Sequence, residues 1–139
     1  GDGTAQIFAD QAAVFTLSVH AAKNFPVRKK SSDMDVPLPD GVDDAAYLKA
    51  LAETLERAEN AVSPDIIFYN AGVDVHRDDR LGRLSLTDDG LRARDAYVMN
   101  WAKAQGAPIV GVLGGGYGDD PAVIAARHVS LFEQAAKLA

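Results

Sequence analysis

Short apolar runs alternate along the chain with longer stretches in which apolar residues recur at helical spacing. The runs span 14–19, 66–69 and 109–113. Runs of this length predict buried strands, and the unbroken second run predicts a strand that is covered on both faces. Residues 34–38 are expected to form a brief extended segment ahead of a Pro-Asp-Gly turn.

Three helices are predicted around these strands. The first is capped by Asp43 and ends near residue 62, and the second is capped by Thr87 and ends near residue 104. The third opens at Asp120-Pro121, a favourable cap and first-turn pair. In the second helix the residues predicted to face inward are Leu91, Val98, Trp101 and Ala102. In the third helix the predicted core face consists of Val123, Ile124, Val129, Phe132 and Leu138.

The alternation of strand and helix predicts an α/β fold in which helices sandwich a parallel sheet. In such a sheet the loops that bind ligands lie at the carboxyl ends of the strands. Three loops meet this condition, those after Val19, Tyr69 and Leu113. The chemistry of the protein is therefore expected in these loops.

Composition narrows the chemistry that the loops can carry. The chain has 139 residues, a formal net charge of −6 and no cysteine. The length predicts one domain, and the lack of cysteine excludes disulfides, thiolate zinc sites and a cysteine nucleophile and favours a cytoplasmic location. The acidic balance argues against nucleic acid or an anionic membrane as a partner. The longest apolar run is too short for a membrane span, and the N-terminus lacks the features of a signal peptide.

The loop after the second strand contains an Asp and a His two residues apart, Asp74 and His76. Both side chains point the same way if this segment is extended, and an oxygen donor with a nitrogen donor suits a divalent metal such as zinc. An Asp-rich loop also forms for purely structural reasons, since aspartates cap turns and pair with arginines. The spacing alone leaves both interpretations open.

The loop after the third strand reads Gly114-Gly115-Gly116-Tyr117. Glycines let the backbone approach a ligand closely, and the tyrosine hydroxyl could donate to an oxyanion. A phosphate-binding loop is an alternative, although the Lys and Ser/Thr of a P-loop are absent and the spacing fails the dinucleotide motif. A simple turn between strand and helix is the third interpretation.

Five short motifs occur in order along nearly the whole chain. They are GDGT at the N-terminus, FTLSVH followed by NFP, DVPLPDGVDDAAYL, PDIIFYNAGVDVHRDDRLGRLSLTDDGL and VLGGGY. Their content and order resemble the histone deacetylase superfamily, most closely its class IV branch. The resemblance implies a three-layer arginase/deacetylase-like α/β fold and a zinc-dependent hydrolase that removes acyl groups from amides. It favours the functional interpretation of both loops.

The resemblance also implies roles for individual residues. Asp74 matches a zinc ligand, with another divalent metal as an alternative, and Tyr117 matches the tyrosine that donates to the carbonyl oxygen as it becomes an oxyanion. Asp2 matches the residue that hydrogen-bonds one of two catalytic histidines. His76 lies at a position that the family does not require. The residues that would line the substrate site are Phe25, as a tunnel wall, and the backbone of Gly115 and Gly116.

The chain departs from the family pattern in two respects. The tandem histidines have no counterpart, and the Asp-x-His motif that supplies two further zinc ligands would lie before Gly1. Residues 1–139 are therefore expected to be the C-terminal portion of a deacetylase domain, with weak or no zinc binding and no activity alone. The complete domain would act on an acyl-lysine protein or an acetylated small amine. The alternative is a non-catalytic half-domain that binds a partner or self-associates through an exposed sheet edge.

Overall fold

The computed structural model describes residues 2–138 of the chain. The bounds of the helices and strands are α1 Asp2–Ile7, β1 Leu17–Ala21, β2 Met34–Leu38, α2 Asp44–Ala61, β3 Ile67–Asn70, α3 Asp88–Ala104, β4 Ile109–Val112 and α4 Pro121–Ala136. From β2 onwards strands and helices alternate as the sequence predicts, whereas β1 and β2 follow one another without a helix between them. Both strand pairs are parallel, so the protein has the predicted α/β class.

The strands form two separate two-stranded sheets over residues 2–138, where the sequence predicts a single sheet. β1 pairs with β2 along its whole length, with Leu17 opposite Met34, so the predicted extended segment is a full strand. Pro37 is tolerated in β2 because only one side of this strand carries a ladder. β3 pairs with β4, with Ile67 opposite Ile109, and α3 connects the two. This β3–α3–β4 unit places the carboxyl ends of both strands at one edge.

The three long helices begin where the sequence predicts. The side chains of Asp43, Thr87 and Asp120 each accept a hydrogen bond from a backbone N–H of the following turn, at 2.8–3.1 Å. α3 is followed by Gly106, whose φ of +69° is the left-handed conformation that ends many helices. No helix within residues 2–138 is both long and apolar enough to cross a membrane.

The main core joins β1, β2, α2, α3 and the loop between β3 and α3. Its buried members are Ala21, Leu38, Tyr47, Leu51, Leu55, Val73, Leu84, Leu86, Leu91 and Val98. Trp101, the sole tryptophan, is half-buried against this core, and its indole N–H donates to Glu59 Oε1 at 2.9 Å. The inward stripe predicted for α3 is confirmed at Leu91, Val98 and Ala102, which are all buried.

The predicted core face of α4 is wrong at three positions. Val123, Val129 and Phe132 are all substantially exposed. The helix instead turns a mostly polar set inward, namely Arg127, Ser130, Leu131 and Gln134. This face is buried because carboxylates of other segments receive its donors. The Ser130 hydroxyl donates to Asp95 at 2.9 Å, and the Arg127 guanidinium donates to Asp78 at 3.1 Å.

One face of the β3–β4 sheet is not covered by any other part of residues 2–138. Phe68 is 70% exposed, and Val110, which lies opposite it, is 39% exposed. The prediction that β3 is covered on both faces is therefore wrong for the part of the chain that the structure describes. The opposite face is packed, since Leu131 of α4 lies so close to Gly111 that a Cβ there would be 3.1 Å from its methyl carbons.

Candidate functional site

Two loops leave the carboxyl edge of the β3–β4 sheet side by side. Backbone hydrogen bonds continue past the strand ends, from Ala71 N–H to the Val112 carbonyl at 2.9 Å and from Val73 N–H to the Gly114 carbonyl at 3.0 Å. The parallel register therefore brings the loop that contains Asp74 against the glycine loop. The structure unites these two sequence-predicted segments as the strand-edge argument expects.

The closest approach between the loops joins Asp74 to Gly115. A Cβ built on Gly115 would lie 2.4 Å from Asp74 Cγ, and the φ of Gly115 is +62°. Both observations require glycine at this position. Gly116 also has a left-handed φ, +99°, and a Cβ there would lie 2.7 Å from Ile124 Cγ2. Because the Asp74 carboxylate already lies against Gly115, the loop is poorly suited to hold a phosphate.

The Asp74 carboxyl group is partly buried at this contact. Burial raises its pKa above the usual value, and the neighbouring carboxylate of Asp79 raises it further, while a backbone hydrogen bond and Arg94 act in the opposite direction. A carboxylate in this environment is stabilised by any cation that binds it. Asp74 is therefore a candidate metal ligand.

A tight turn at residues 79–82 holds the backbone of Tyr117. Asp79 is buried, and its Oδ1 accepts hydrogen bonds from Leu81 N–H at 2.9 Å and Gly82 N–H at 2.7 Å. Asp79 Oδ2 accepts from Tyr117 N–H at 2.6 Å, and Arg80 N–H donates to the Tyr117 carbonyl at 2.9 Å. The main chain of Tyr117 is thus fixed on both sides, while its side chain is 48% exposed.

A buried ion pair lies beneath the Asp74 loop. Arg94 and Asp95 of α3 are 3% and 2% exposed, and Arg94 Nη1 donates to the Gly72 carbonyl at 2.5 Å. Asp95 accepts from the hydroxyls of Tyr69 at 2.7 Å and Ser130 at 2.9 Å. Burial raises the pKa of the Tyr69 phenol well above its usual value, so it stays a donor. This network ties the end of β3 and the start of the loop to both α3 and α4.

Sequence reasoning missed this network, although a signal for it exists. Arg94 and Asp95 occupy positions of α3 that share the inward stripe of Leu91 and Val98. Two adjacent charges on a face that is otherwise apolar indicate a buried pair, because isolated charges are almost never buried. The sequence likewise gives Asp79 no role beyond that of one aspartate in an Asp-rich loop.

His76 has a structural role in the loop. Its Nδ1 accepts from the Asp78 N–H at 3.1 Å, and its Nε2 lies 3.4 Å from Asp88 Oδ1. Burial lowers the pKa of His76, and the nearby guanidinium of Arg127 lowers it further. The neutral ring therefore joins the loop to the start of α3, and these contacts favour a structural role for His76 over that of a metal ligand.

Asp2 and Phe25 lie together in a different place. Both line a small cavity with His20 and Lys29, and Asp74 and Tyr117 are not among the residues that line it. Asp2 Oδ1 accepts from Lys30 N–H, and Phe25 is 92% exposed. The roles that the resemblance implies for these two residues stay predictions.

The metal-donor set of the site can be stated for residues 2–138. No group of three or more His, Asp or Glu side chains among them is placed so that it could hold a metal ion. Catalytic zinc sites have about three protein ligands. Asp74 therefore does not form such a site with other side chains of residues 2–138.

Comparison with known proteins identifies a family model and a relative that match nearly the whole chain. A sequence model described as the histone deacetylase domain matches residues 1–131. An uncharacterized protein of Picosynechococcus sp. is 47% identical over 137 residues, which cover 99% of this chain and 45% of that protein.

Two solved structures are similar in fold. The crystal structure of an HDAC homolog complexed with SAHA is 26% identical, with a TM-score of 0.77, over 96% of this chain and 38% of that chain. An acetylpolyamine aminohydrolase from Burkholderia pseudomallei is 23% identical, with a TM-score of 0.73, over 95% of this chain and 40% of that chain. The chain thus spans less than half the length of each of these proteins.

Proposed function

This chain belongs to the histone deacetylase family, and from that premise we propose that it supplies one side of a zinc-dependent amide hydrolase site. In this proposal Asp74 is one ligand of the metal and Tyr117 is a hydrogen-bond donor to the reacting carbonyl. The observation that carries it is the contact between the two loops, since the Asp74 carboxyl packs directly on Gly115 of the loop that ends in Tyr117. A metal carboxylate and an oxyanion donor have to act on the same carbonyl group.

The two residues have complementary tasks in amide hydrolysis. When bound, zinc polarises a carbonyl group and acidifies a bound water. Tyr117 offers a neutral hydroxyl that donates to the carbonyl oxygen as negative charge develops there, which stabilises the transition state. The hydrogen bonds that Asp79 and Arg80 form with the main chain of Tyr117 limit the loss of conformational freedom when this bond forms. In this proposal the backbone of Gly115 and Gly116 borders the bound substrate.

Further groups are required for a complete site. We propose that the other zinc ligands and the catalytic histidines lie in a segment encoded upstream of Gly1, and that Asp2 orients one of those histidines. Phe25, which is 92% exposed, would form a wall of the acyl tunnel in the complete domain. The test is the upstream reading frame, where an Asp-x-His and a His-His pair are expected. Their absence would contradict this part of the proposal.

The chain alone is then expected to be inactive and to bind zinc weakly. Isothermal titration of the 139-residue chain with zinc checks this, with Asp74→Asn as the matched control. Stoichiometric sub-micromolar binding would contradict it. A polypeptide that includes the upstream segment should hydrolyse the amide substrate, and Tyr117→Phe should lower kcat by at least about 100-fold, as loss of one oxyanion donor does elsewhere. Activity unchanged by Tyr117→Phe would remove the tyrosine from the mechanism.

The names of related proteins support a proposal for the substrate class. A histone deacetylase and an acetylpolyamine aminohydrolase both act on an acetyl group joined to an amine. This chain belongs to the family of the first and shares the fold of the second. We propose an acetylated primary amine, in an acyl-lysine protein or a small polyamine. Parallel assays with an acetyl-lysine peptide and an acetylated polyamine distinguish the two. Hydrolysis of neither would contradict the proposed class.

A second, non-catalytic candidate is self-association of this chain through the uncovered β3–β4 face. The observation that favours it is the apolar patch formed by Phe68, Val110 and Val112, which are 70%, 39% and 41% exposed. Exposed apolar patches on a sheet promote association. Sedimentation is expected to give a mass above the 14.7 kDa of one chain, and Phe68→Glu should return it to that value. A monomer at all concentrations would contradict this candidate.

A further inference from the structure

The turn at residues 79–82 touches both halves of the site. The carboxylate of Asp79 in this turn accepts a hydrogen bond from Tyr117 N–H at 2.6 Å. The glycine of the turn, Gly82, lies so close to Asp74 that a Cβ there would be 1.9 Å from the Asp74 carbonyl oxygen. One four-residue turn therefore packs on the backbone of the metal carboxylate and binds the backbone of the tyrosine.

Asp79 is the residue on which this geometry depends. The group is buried, and its partners are three backbone amides, two within its own turn and one in the tyrosine loop. Hydrogen bonds from amides to a buried carboxylate are short and strong, and an unpaired buried amide is costly. The bonds at 2.6–2.9 Å are therefore expected to hold the two loops at a fixed separation.

We propose that Asp79 is a positioning residue for the hydrolytic site, which sets the location of Tyr117 relative to Asp74. The inference rests on the proposed function of those two residues. Asp79 itself touches no reacting atom in this scheme. It acts because a donor displaced by about 1 Å from the developing oxyanion loses much of its effect.

A carboxylate is required because all three partners are donors. In Asp79→Asn one of the two oxygens becomes an NH₂ group, which would face either Tyr117 N–H or the amides of the turn, donor against donor. Asp79→Ser keeps one small acceptor for the amides of the turn but is too short to reach Tyr117. Asp79→Asn therefore loses either the bond to Tyr117 or the bonds within the turn, whereas Asp79→Ser is expected to release Tyr117 and to preserve the turn.

The first measurement does not depend on activity. Amide hydrogen exchange in the 139-residue chain, followed residue by residue by NMR, should find the Tyr117 N–H protected in the natural sequence. In Asp79→Ser its exchange is expected to rise at least about tenfold, while the amides in the middle of α3 are unchanged. Asp89→Asn makes a similar change at an exposed residue of α3 and should leave Tyr117 protected. Equal Tyr117 protection in Asp79→Ser and the natural chain would overturn the proposal.

The second measurement uses the active polypeptide that includes the upstream segment. Asp79→Ser is expected to lower kcat at least about tenfold with KM within about twofold, the pattern of an interaction made mainly in the transition state. Equal losses in Asp79→Ser and Asp89→Asn, or a kcat within twofold of the natural protein, would overturn the positioning role. If the natural polypeptide hydrolyses no amide, the proposed function fails, and the exchange experiment still decides whether Asp79 fixes Tyr117.

Discussion

The buried pair of Arg94 and Asp95 provides the sharpest test of the physical reasoning about this fold. In Asp95→Ala the guanidinium of Arg94, which is 3% exposed, loses its charge partner. The hydroxyls of Tyr69 and Ser130 lose their acceptor in the same change. Removing one member of a buried pair typically costs about 3–5 kcal/mol of the free energy of unfolding, because the other charge stays in a medium of low polarity.

That cost is a large share of the total stability of a domain, which is about 5–15 kcal/mol. We expect Asp95→Ala to lower the urea midpoint strongly and to lower Tm by about 10–20 °C. Far-UV circular dichroism of the chain in urea measures the change. Glu53→Ala is the control, since Glu53 pairs with Lys49 at 3.9 Å on an exposed surface, where such a pair contributes about 0.3–0.5 kcal/mol.

A double variant separates the charge effect from the lost packing. Arg94→Met combined with Asp95→Ala removes the uncompensated charge, so it should be at least about 1 kcal/mol more stable than Asp95→Ala alone. If Asp95→Ala costs less than about 1 kcal/mol, or if the double variant is as unstable as the sum of the single variants, the pair is not the buried unit described above.

Three further predictions concern the loops. Gly115→Ala should lower the free energy of unfolding in urea by at least about 1–2 kcal/mol, because the φ of Gly115 is +62° and a Cβ there would meet Asp74. Gly3→Ala should lower it less, since a Cβ at Gly3 meets nothing within 4 Å. Equal effects of the two substitutions would contradict the contact. The pKa of Asp74 is raised in the folded chain, so its contribution to stability is lost as pH rises through the folded-state pKa. Asp74→Asn should therefore have a higher Tm than the natural chain at pH 7 and no advantage in acid below the usual pKa of 3.8. A lower Tm of the variant at pH 7 would refute this. The pKa of His76 is lowered in the folded chain, so the unfolded chain binds the proton more readily and stability should fall as pH drops below 6.5. His76→Gln should reduce this dependence of stability on pH. An unchanged dependence would mean that other groups cause it.

The sequence predicts those parts of the fold that depend on local interactions. Asp43, Thr87 and Asp120 cap the helices as expected, because a cap needs only the backbone amides of the next turn. The pairing of the Asp74 loop with the glycine loop also follows from the sequence, since parallel strands on either side of a crossover helix end at the same edge.

Features that depend on distant partners could not be predicted in this way. The apolar residues of α4 suggest a core face, but Ser130 and Arg127 turn inward instead. Their side chains donate hydrogen bonds to Asp95 and Asp78, which belong to other segments of the chain. Phe68 reads as buried from its apolar run, yet no described element covers its side of the sheet. The link between Asp79 and Tyr117 spans 38 residues and leaves no periodic trace in the sequence.

Trp101 gives the molecule a built-in optical reporter. It is the sole tryptophan, it lies in the last turns of α3, and its indole is held against the core and Glu59. The loop that contains Asp74 lies at the other end of that helix, where His76 Nε2 is 3.4 Å from Asp88 Oδ1. Its fluorescence should therefore follow the loss of the α2–α3 packing and be insensitive to a ligand at Asp74 or Tyr117, so that binding and unfolding can be monitored separately in one sample.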